Sequence, residues 1–224
     1  MKLNKKGFTL IELLAVITIM GILMMVAIPA VSRTIENSRR DTFANLTKQY
    51  IESVRNAVIA DELTCGGKSV SATLAGNYYF LINTEKLDPA LSTDSYQNTI
   101  DLMESGGKSS WGNNDVIGMV AWKKEDSVTG ATSGFKITYY AMLVDNGNHG
   151  LPSLIEESAI KRSRILASTS SKAKYNDLKT LAKLQNTAKK STEEETLPAK
   201  ETLKGLQFTD NTATGYATLC TLDK

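Results

Sequence analysis

The feature that most constrains this chain is an uncharged apolar run close to its N-terminus. From Leu13 to Val31 there are 19 consecutive residues without a charged side chain. As an α-helix they would extend about 28 Å, close to the thickness of the hydrocarbon core of a bilayer. Lys2, Lys5 and Lys6 precede the run, and basic residues of this kind stay on the cytoplasmic side. The sequence therefore predicts a single membrane span with its N-terminus inside.

An ordinary secretory signal fits this segment less well. Such a signal has a small-residue cleavage site after its apolar core. Here the end of the core, at Pro29-Ala30-Val31-Ser32, offers little of that kind, and the small residue Gly7 lies before the core.

A carboxylate, Glu12, lies at the start of the apolar run. A charge at the edge of a hydrocarbon core is costly and usually has a functional partner. If the chain is cut after Gly7, a new ammonium appears at Phe8, and Glu12 could pair with it within one subunit or between two. The alternative is a carboxylate that reaches out to the lipid headgroups.

The segment Lys5-Lys6-Gly7-Phe8-Thr9-Leu10-Ile11-Glu12-Leu13-Leu14 closely resembles the class III signal of type IV prepilins and the related pseudopilins. The resemblance implies that a prepilin peptidase cuts between Gly7 and Phe8 and methylates Phe8. It also implies that Glu12 neutralises the amine of a neighbouring subunit during assembly. Beyond roughly the first 30 residues, only the general layout of a pilin is similar.

The same resemblance implies that the helix is bent or melted at Gly21 and Pro29 in a filament. A kink at Pro29 is expected in any case, because proline lacks a backbone donor and clashes with the preceding turn. The resulting division of the chain is a leader (1–7), an apolar half-helix (8–31), an amphipathic half-helix (32–61) and a globular head (62–224).

The head is predicted to be α+β. One helical stripe follows the anchor, consisting of Phe43, Leu46, Tyr50, Val54 and Ala57, and its spacing suits a face packed on a sheet. The helix should end between Asp61 and Cys65, before Gly66-Gly67. Predicted strands cover 78–83, 115–124 and 135–144, with a hairpin loop at 125–134 and an exposed turn at 145–150. A long helix on an antiparallel sheet is also the type IV pilin architecture that the resemblance implies.

A second amphipathic helix is predicted from Lys172 to Lys190. Its basic stripe comprises Lys172, Lys179, Lys183 and Lys190, opposite Leu178, Leu181, Leu184 and Ala188. Evenly spaced lysines could bind DNA or an anionic surface polymer. The simpler interpretation is a solvated face opposite buried leucines. Overall charge gives no support to nucleic-acid binding, because without the leader 23 basic residues face 24 acidic ones.

The two cysteines, Cys65 and Cys220, have no metal-binding spacing. In an exported protein such a pair most often forms one disulfide, although two free thiols or a bond formed only in the filament are alternatives. His149 is the single histidine and is expected in a loop. With one histidine and no nucleophile elbow, no active site is expected. The cysteine spacing gives no reason to expect a metal, and no other cofactor is expected.

These features together predict a structural subunit of a type IV pilus, with other pilins, prepilin peptidase and the pilus assembly machinery as partners. It would lie in the cytoplasmic membrane before assembly and in an extracellular pilus afterwards. One alternative is a pseudopilin of a type II secretion or DNA-uptake machine. Another is a single-span membrane protein with an enzymatic head, which would keep the Gly7–Phe8 bond intact.

Overall fold

The structure, a computed structural model, describes residues 9–65, 67–82, 108–112, 115–129, 132–190 and 218–222. The chain divides into two compact units, residues 1–39 and 40–224. Helix α1 (Leu10–Ile59) begins in the first unit and ends in the second. It is 50 residues long and lies within the two predicted half-helices, 8–31 and 32–61.

The described part of the first unit is helical from Leu10 onward. The hydroxyl groups of its threonines bond back to the helix: Thr18 Oγ1 donates to Leu14 O at 3.0 Å, and Thr34 Oγ1 donates to Ala30 O at the same distance. The helix therefore satisfies these polar side chains internally, as an apolar environment requires. Pro29 lies inside the helix, where it provides no amide hydrogen.

In the second unit, α1 ends in a Schellman motif. The amide of Glu62 donates to Ala57 O at 2.9 Å, and that of Asp61 donates to Val58 O at 3.3 Å. Asp61 has a φ of 56°, the left-handed conformation that this motif requires. Its carboxylate accepts bonds from the Ser71 amide and hydroxyl, both at 3.0 Å. The helix thus ends at Ile59, just before the predicted region.

Nine strands form one sheet within the described residues. They are β1 (Leu63–Cys65), β2 (Lys68–Ser69), β3 (Gly76–Ile82), β4 (Val116–Thr129), β5 (Thr132–Asp145), β6 (His149–Gly150), β7 (Ile155–Glu156), β8 (Leu166–Ala167) and β9 (Thr218–Leu222). The order is β2-β1-β9-β3-β4-β5-β6-β8, with β7 also on β5. All pairs are antiparallel except β3 with β9. Helix α2 (Thr169–Lys190) follows β8. The predicted α+β class is confirmed.

The alternation of the three central strands gives the sheet two buried faces. One face packs with α1 in the cluster of Phe43, Tyr50, Ile51, Val54, Tyr78, Phe80, Ile82, Val120, Trp122, Tyr139, Ala141 and Leu143. The other packs with α2 and includes Tyr79, Leu81, Ile117, Met119, Ala121, Tyr140, Met142, Val144, Leu154, Tyr175 and Leu178. The predicted helix stripe is confirmed as the face on the sheet, with Leu46 partly buried.

The predicted hairpin loop at 125–134 is wrong. Strands β4 and β5 remain paired from Glu125↔Lys136 to Thr129↔Thr132, so that only residues 130–131 lie between them. Opposite charges face each other at Glu125 and Lys136, which favours the pairing of two polar segments. The low strand propensity of Asp126, Ser127 and Gly134 concealed this extension, because it reflects packing context more than the backbone itself.

The predicted exposed turn at 145–150 is also wrong at both of its ends. Asp145 is fully buried at the end of β5, and Gly150 is buried in β6. Gly150 has a φ of 137°, and a Cβ atom there would lie 2.2 Å from Leu143 O. A glycine is therefore needed at this position for conformation and for space.

Candidate assembly site

The N-terminus of α1 is closed by two residues of the same chain. Thr9 is the residue before the helix, and both its amide and its hydroxyl donate to Glu12 Oε2 at 2.8 Å. In return the amide of Glu12 donates to Thr9 Oγ1 at 3.4 Å. This reciprocal pattern is a capping box, which satisfies backbone donors that the first helical turn leaves free.

The capping box determines where the Glu12 carboxylate lies. It holds Oε2 at the positive end of the helix dipole, next to the start of the helix. No hydrogen bond from another described residue reaches Oε1 of Glu12. This cap was not predicted, although the pattern Thr-x-x-Glu before an apolar run is its usual signal.

The apolar part of α1 has no cover within the described residues. Every large apolar side chain from Leu10 to Val31 is at least half exposed, from 50% at Val16 to 83% at Leu10. A contiguous apolar surface of this size indicates contact with protein or lipid. By length and composition, α1 is a helix able to cross a membrane.

The remaining predicted assembly residues are distributed as follows. Gly7 and Phe8 lie outside the described residues. Gly21 and Pro29 both lie within the helical range of α1. A Cβ atom added at Gly21 would meet no atom within 4 Å, so the space around Gly21 in the single chain does not require a glycine. Bending or melting at these two positions in a filament stays a prediction.

Residues 2–28 match the family model of the prokaryotic N-terminal methylation motif. The chain carries the class III signal of the type IV pilin and pseudopilin family. The motif and the apolar helix fit a membrane-anchored precursor. Comparisons with curated proteins and with solved structures gave no match.

The disulfide of this pilin-like chain joins two distant parts of the head. Cys65 in β1 and Cys220 in β9 are directly opposite in the antiparallel register and are bonded to each other. They are 155 residues apart in the sequence, and both are buried. The last described strand is therefore fastened covalently to the strand that follows α1.

Two of the four lysine side chains in the basic stripe of α2 belong to the described part of the structure. Lys172 is engaged within the head, because its Nζ donates to Asn146 O at 2.8 Å and lies 6.0 Å from the centre of the Tyr175 ring. Lys179 is exposed, and the side chains of Lys183 and Lys190 lie outside the described set. On the opposite side of the helix Leu178 is buried, as predicted, whereas the side chains of Leu181, Leu184 and Ala188 are not described.

The buried carboxylate of Asp145 organises the loop in which His149 was predicted to lie. Asp145 accepts bonds from Ser109 Oγ at 2.7 Å, from the Gly147 amide at 2.8 Å and from the His149 amide at 2.7 Å. His149 Nδ1 lies 3.1 Å from Asp145 Oδ2, and the His149 ring stacks on Trp111 at 4.3 Å. The hydroxyl of Ser109 points to the carboxylate and not to the imidazole, so this is not the arrangement of a hydrolase triad.

One groove, of about 480 Å³, lies in the head between the second half of α1 and strand β5. It is lined by Lys48, Arg55, Ile137, Thr138, Tyr139, Glu156, Glu157 and Ser158. Two of its charged side chains, Arg55 and Glu157, bind each other, and Arg55 also binds Glu52. Burial raises the pKa of Tyr139 to about 12. Within the described residues no cluster of His, Cys, Asp and Glu is placed to hold a metal ion.

Proposed function

We propose that this chain is a structural subunit of a type IV pilus. In this proposal prepilin peptidase cuts it between Gly7 and Phe8 and methylates Phe8, and the N-terminal helix then packs into the core of a filament. The methylation motif at residues 2–28, which is continuous with an exposed apolar helix, carries the proposal. Before assembly the precursor would be a single-span protein of the cytoplasmic membrane with its leader inside.

The exposed half of α1 gives the energetic reason for assembly. Its side chains must be covered by lipid before assembly and by other subunits in the filament. Exchange of lipid for protein contact changes the hydrophobic free energy little, so close packing between helices has to favour the filament. Gly21 suits such packing, because nothing in its own chain approaches the position of a Cβ atom.

Glu12 would set the alignment of neighbouring subunits when their helices leave the lipid and enter the filament. Its Oε2 atom is occupied by Thr9 of the same chain, which leaves Oε1 to accept the ammonium of Phe8 from a neighbouring subunit. An unpaired carboxylate within an apolar core would be strongly destabilising, whereas a paired one is tolerated. Correct stagger between subunits would therefore be favoured over other staggers by the requirement to pair Glu12.

The same motif occurs in pseudopilins, which form short filaments within secretion or DNA-uptake machines. Among the described residues of the head, no group of His, Cys, Asp and Glu is placed to hold a metal ion, and Ser109 bonds to Asp145 rather than to His149. DNA or an anionic polymer as a partner would depend on the stripe of Lys172, Lys179, Lys183 and Lys190. Since Lys172 is already bonded to Asn146, Lys179 is the described member of the stripe on which such binding would depend most.

The test is to shear surface filaments from cells and compare them with the membrane fraction. A pilus subunit is expected to be abundant in the sheared fraction and to form filaments visible by electron microscopy, which disappear when the gene is deleted. A chain confined to membranes despite a processed N-terminus would point to a pseudopilin. A chain that keeps its leader in both fractions would contradict the proposal.

A further inference from the structure

The last described strand, β9, lies inside the sheet rather than at its edge. β9 pairs with β1 in antiparallel register and with β3 in parallel register. Among the described strands β1 and β3 do not pair with each other, so β9 alone links β1 and β2 to the rest of the sheet. Without β9 a cleft would separate β1 from β3, with unpaired backbone groups on both sides.

This cleft fits one sequence closely. Leu222 lies opposite Leu63, Thr221 opposite Thr64 and Cys220 opposite Cys65. Leu63, Cys65 and Cys220 are buried, so a strand in another register would place a polar side chain among them. Every copy of the chain carries the β9 sequence, and a β9 from a second copy would therefore make the same contacts as the chain's own.

The length of the intervening chain permits such an exchange. Residues 191–217 separate α2 from β9, and the pairing of β9 is made with elements at residues 63–65 and 78–79. A chain of this length reaches at most about 90 Å when fully extended, more than the diameter of a small domain. Exchange of an identical element between copies costs little, because the contacts formed equal those lost.

We propose that, in the reduced protein, β9 exchanges between two copies of the chain, and that the Cys65–Cys220 disulfide fixes β9 in the cleft that it occupies. Bond formation joins the two sulfurs, while two protons and two electrons pass to an oxidant of the disulfide class. Oxidised glutathione, for example, is converted to two molecules of glutathione. The disulfide forms within one chain when β9 lies in the cleft of its own chain. It links two chains covalently when β9 lies in the cleft of the other copy. This inference does not depend on the pilus proposal.

The test uses two full-length variants in detergent micelles, each of which keeps one cysteine. Cys65→Ser retains Cys220, Cys220→Ser retains Cys65, and neither can form the bond within one chain. The reduced variants are mixed and then oxidised with oxidised glutathione. The main oxidised product is expected to be the heterodimer joined through Cys65 and Cys220, with both homodimers at background, as seen by non-reducing electrophoresis and by mass spectrometry of the linked peptides.

A matched control separates strand insertion from random collision. In the chain with Cys65→Ser, Cys220→Ser and Thr221→Cys, the thiol lies opposite Thr64 and on the other face of the strand. Mixed with Cys220→Ser, this chain is expected to give far less heterodimer than the first pair. Equal yields from the two pairs, or only glutathione-capped monomers, would overturn the proposal.

A measurement on the unmutated chain keeps the test valid if a variant fails to fold. The wild-type chain is reduced, equilibrated at a series of concentrations and reoxidised. The fraction of dimer linked between Cys65 and Cys220 is expected to rise with concentration. Monomers alone at every concentration would contradict exchange.

Discussion

The ammonium of Lys124 lies 2.8 Å from the carbonyl oxygen of Thr73, at the point where a short 3₁₀ segment rests on the sheet. The same Nζ atom donates to Val70 O at 3.0 Å and lies 4.0 Å from the centre of the Phe135 ring. Lys124 is 3% exposed, and this burial lowers the pKa of its ammonium. A single side chain thus satisfies carbonyl groups of the segment that precedes β3.

Replacing Lys124 with methionine should destabilise the head. The substitution nearly keeps the length of the side chain but removes the Lys124 donor from Thr73 O and from Val70 O, the second of which still accepts from Thr73. The expected cost is about 1–3 kcal/mol. The matched control is Lys123→Met, since Lys123 is partly exposed and pairs with Glu125, a surface pair worth about 0–1 kcal/mol. Urea unfolding of the full chain in micelles measures both. Equal losses from the two variants would show that the carbonyl contacts contribute little.

Asp145 and Asp115 provide a second comparison, this time between a buried and an exposed carboxylate. Asp145→Ala should cost about 3 kcal/mol or more, because it removes the acceptor of one buried and two partly buried donors. Asp115→Ala removes an exposed pair with Lys108 and should cost about 1 kcal/mol or less. Thermal unfolding monitored by circular dichroism gives the order, and a reversed order would contradict the role assigned to Asp145.

Gly150 and Gly67 separate conformational strain from lack of space. Both have a positive φ, but a Cβ atom at Gly67 meets nothing within 4 Å, whereas at Gly150 it would overlap Leu143 O. Gly67→Ala should therefore cost only about 1–2 kcal/mol, the penalty of the left-handed conformation. Gly150→Ala should cost clearly more, because β6 has to move away from β5. Urea midpoints of the two variants test this, and equal midpoints would refute the close approach.

The stability of the helix end should depend on pH through Asp61. Hydrogen bonding by Ser71 lowers the pKa of Asp61 in the folded chain. A carboxyl with a lowered folded pKa stabilises the fold above its unfolded pKa of about 3.9, and this contribution is lost as the pH falls through the folded pKa. Wild type should thus be more stable than Asp61→Asn at pH 7, and the difference should shrink with acidification. A difference that does not change with pH would argue against the ionised carboxylate.

Much of the architecture was readable from local patterns. The three- and four-residue spacing of Phe43, Tyr50 and Val54 predicted the buried face of α1, and clustered aromatic and β-branched residues predicted the three central strands. The long apolar run predicted the exposed half of α1. These signals depend on the periodicity of neighbouring residues, which is why they survive in a single sequence.

The features that were missed depend on contacts between distant residues. The pairing of Leu63 with Leu222 has no local signature, and neither does the burial of Asp145 by Ser109. The strand extension to Thr129 follows from its partner strand more than from its own composition. In contrast the cap at Thr9 and Glu12 has a local signature, the pattern Thr-x-x-Glu before an apolar run.

Glu12→Gln separates the charge of Glu12 from its capping role. Glutamine also serves in a capping box, so the start of α1 should be preserved, while pairing with an ammonium is lost. Processing after Gly7 should continue, and the yield of sheared filaments should fall severely. Thr9→Ser, which keeps the hydroxyl, serves as the control with near-normal yield. Normal filament yield from Glu12→Gln would contradict the proposed role of the charge.

The central claim is tested most directly by mass spectrometry of the N-terminal peptide, performed separately on sheared surface filaments and on membranes. The account predicts a peptide that begins with methylated Phe8 and is abundant in the filaments. A peptide that begins at Met1 and retains Lys2 to Gly7 in both fractions would contradict it.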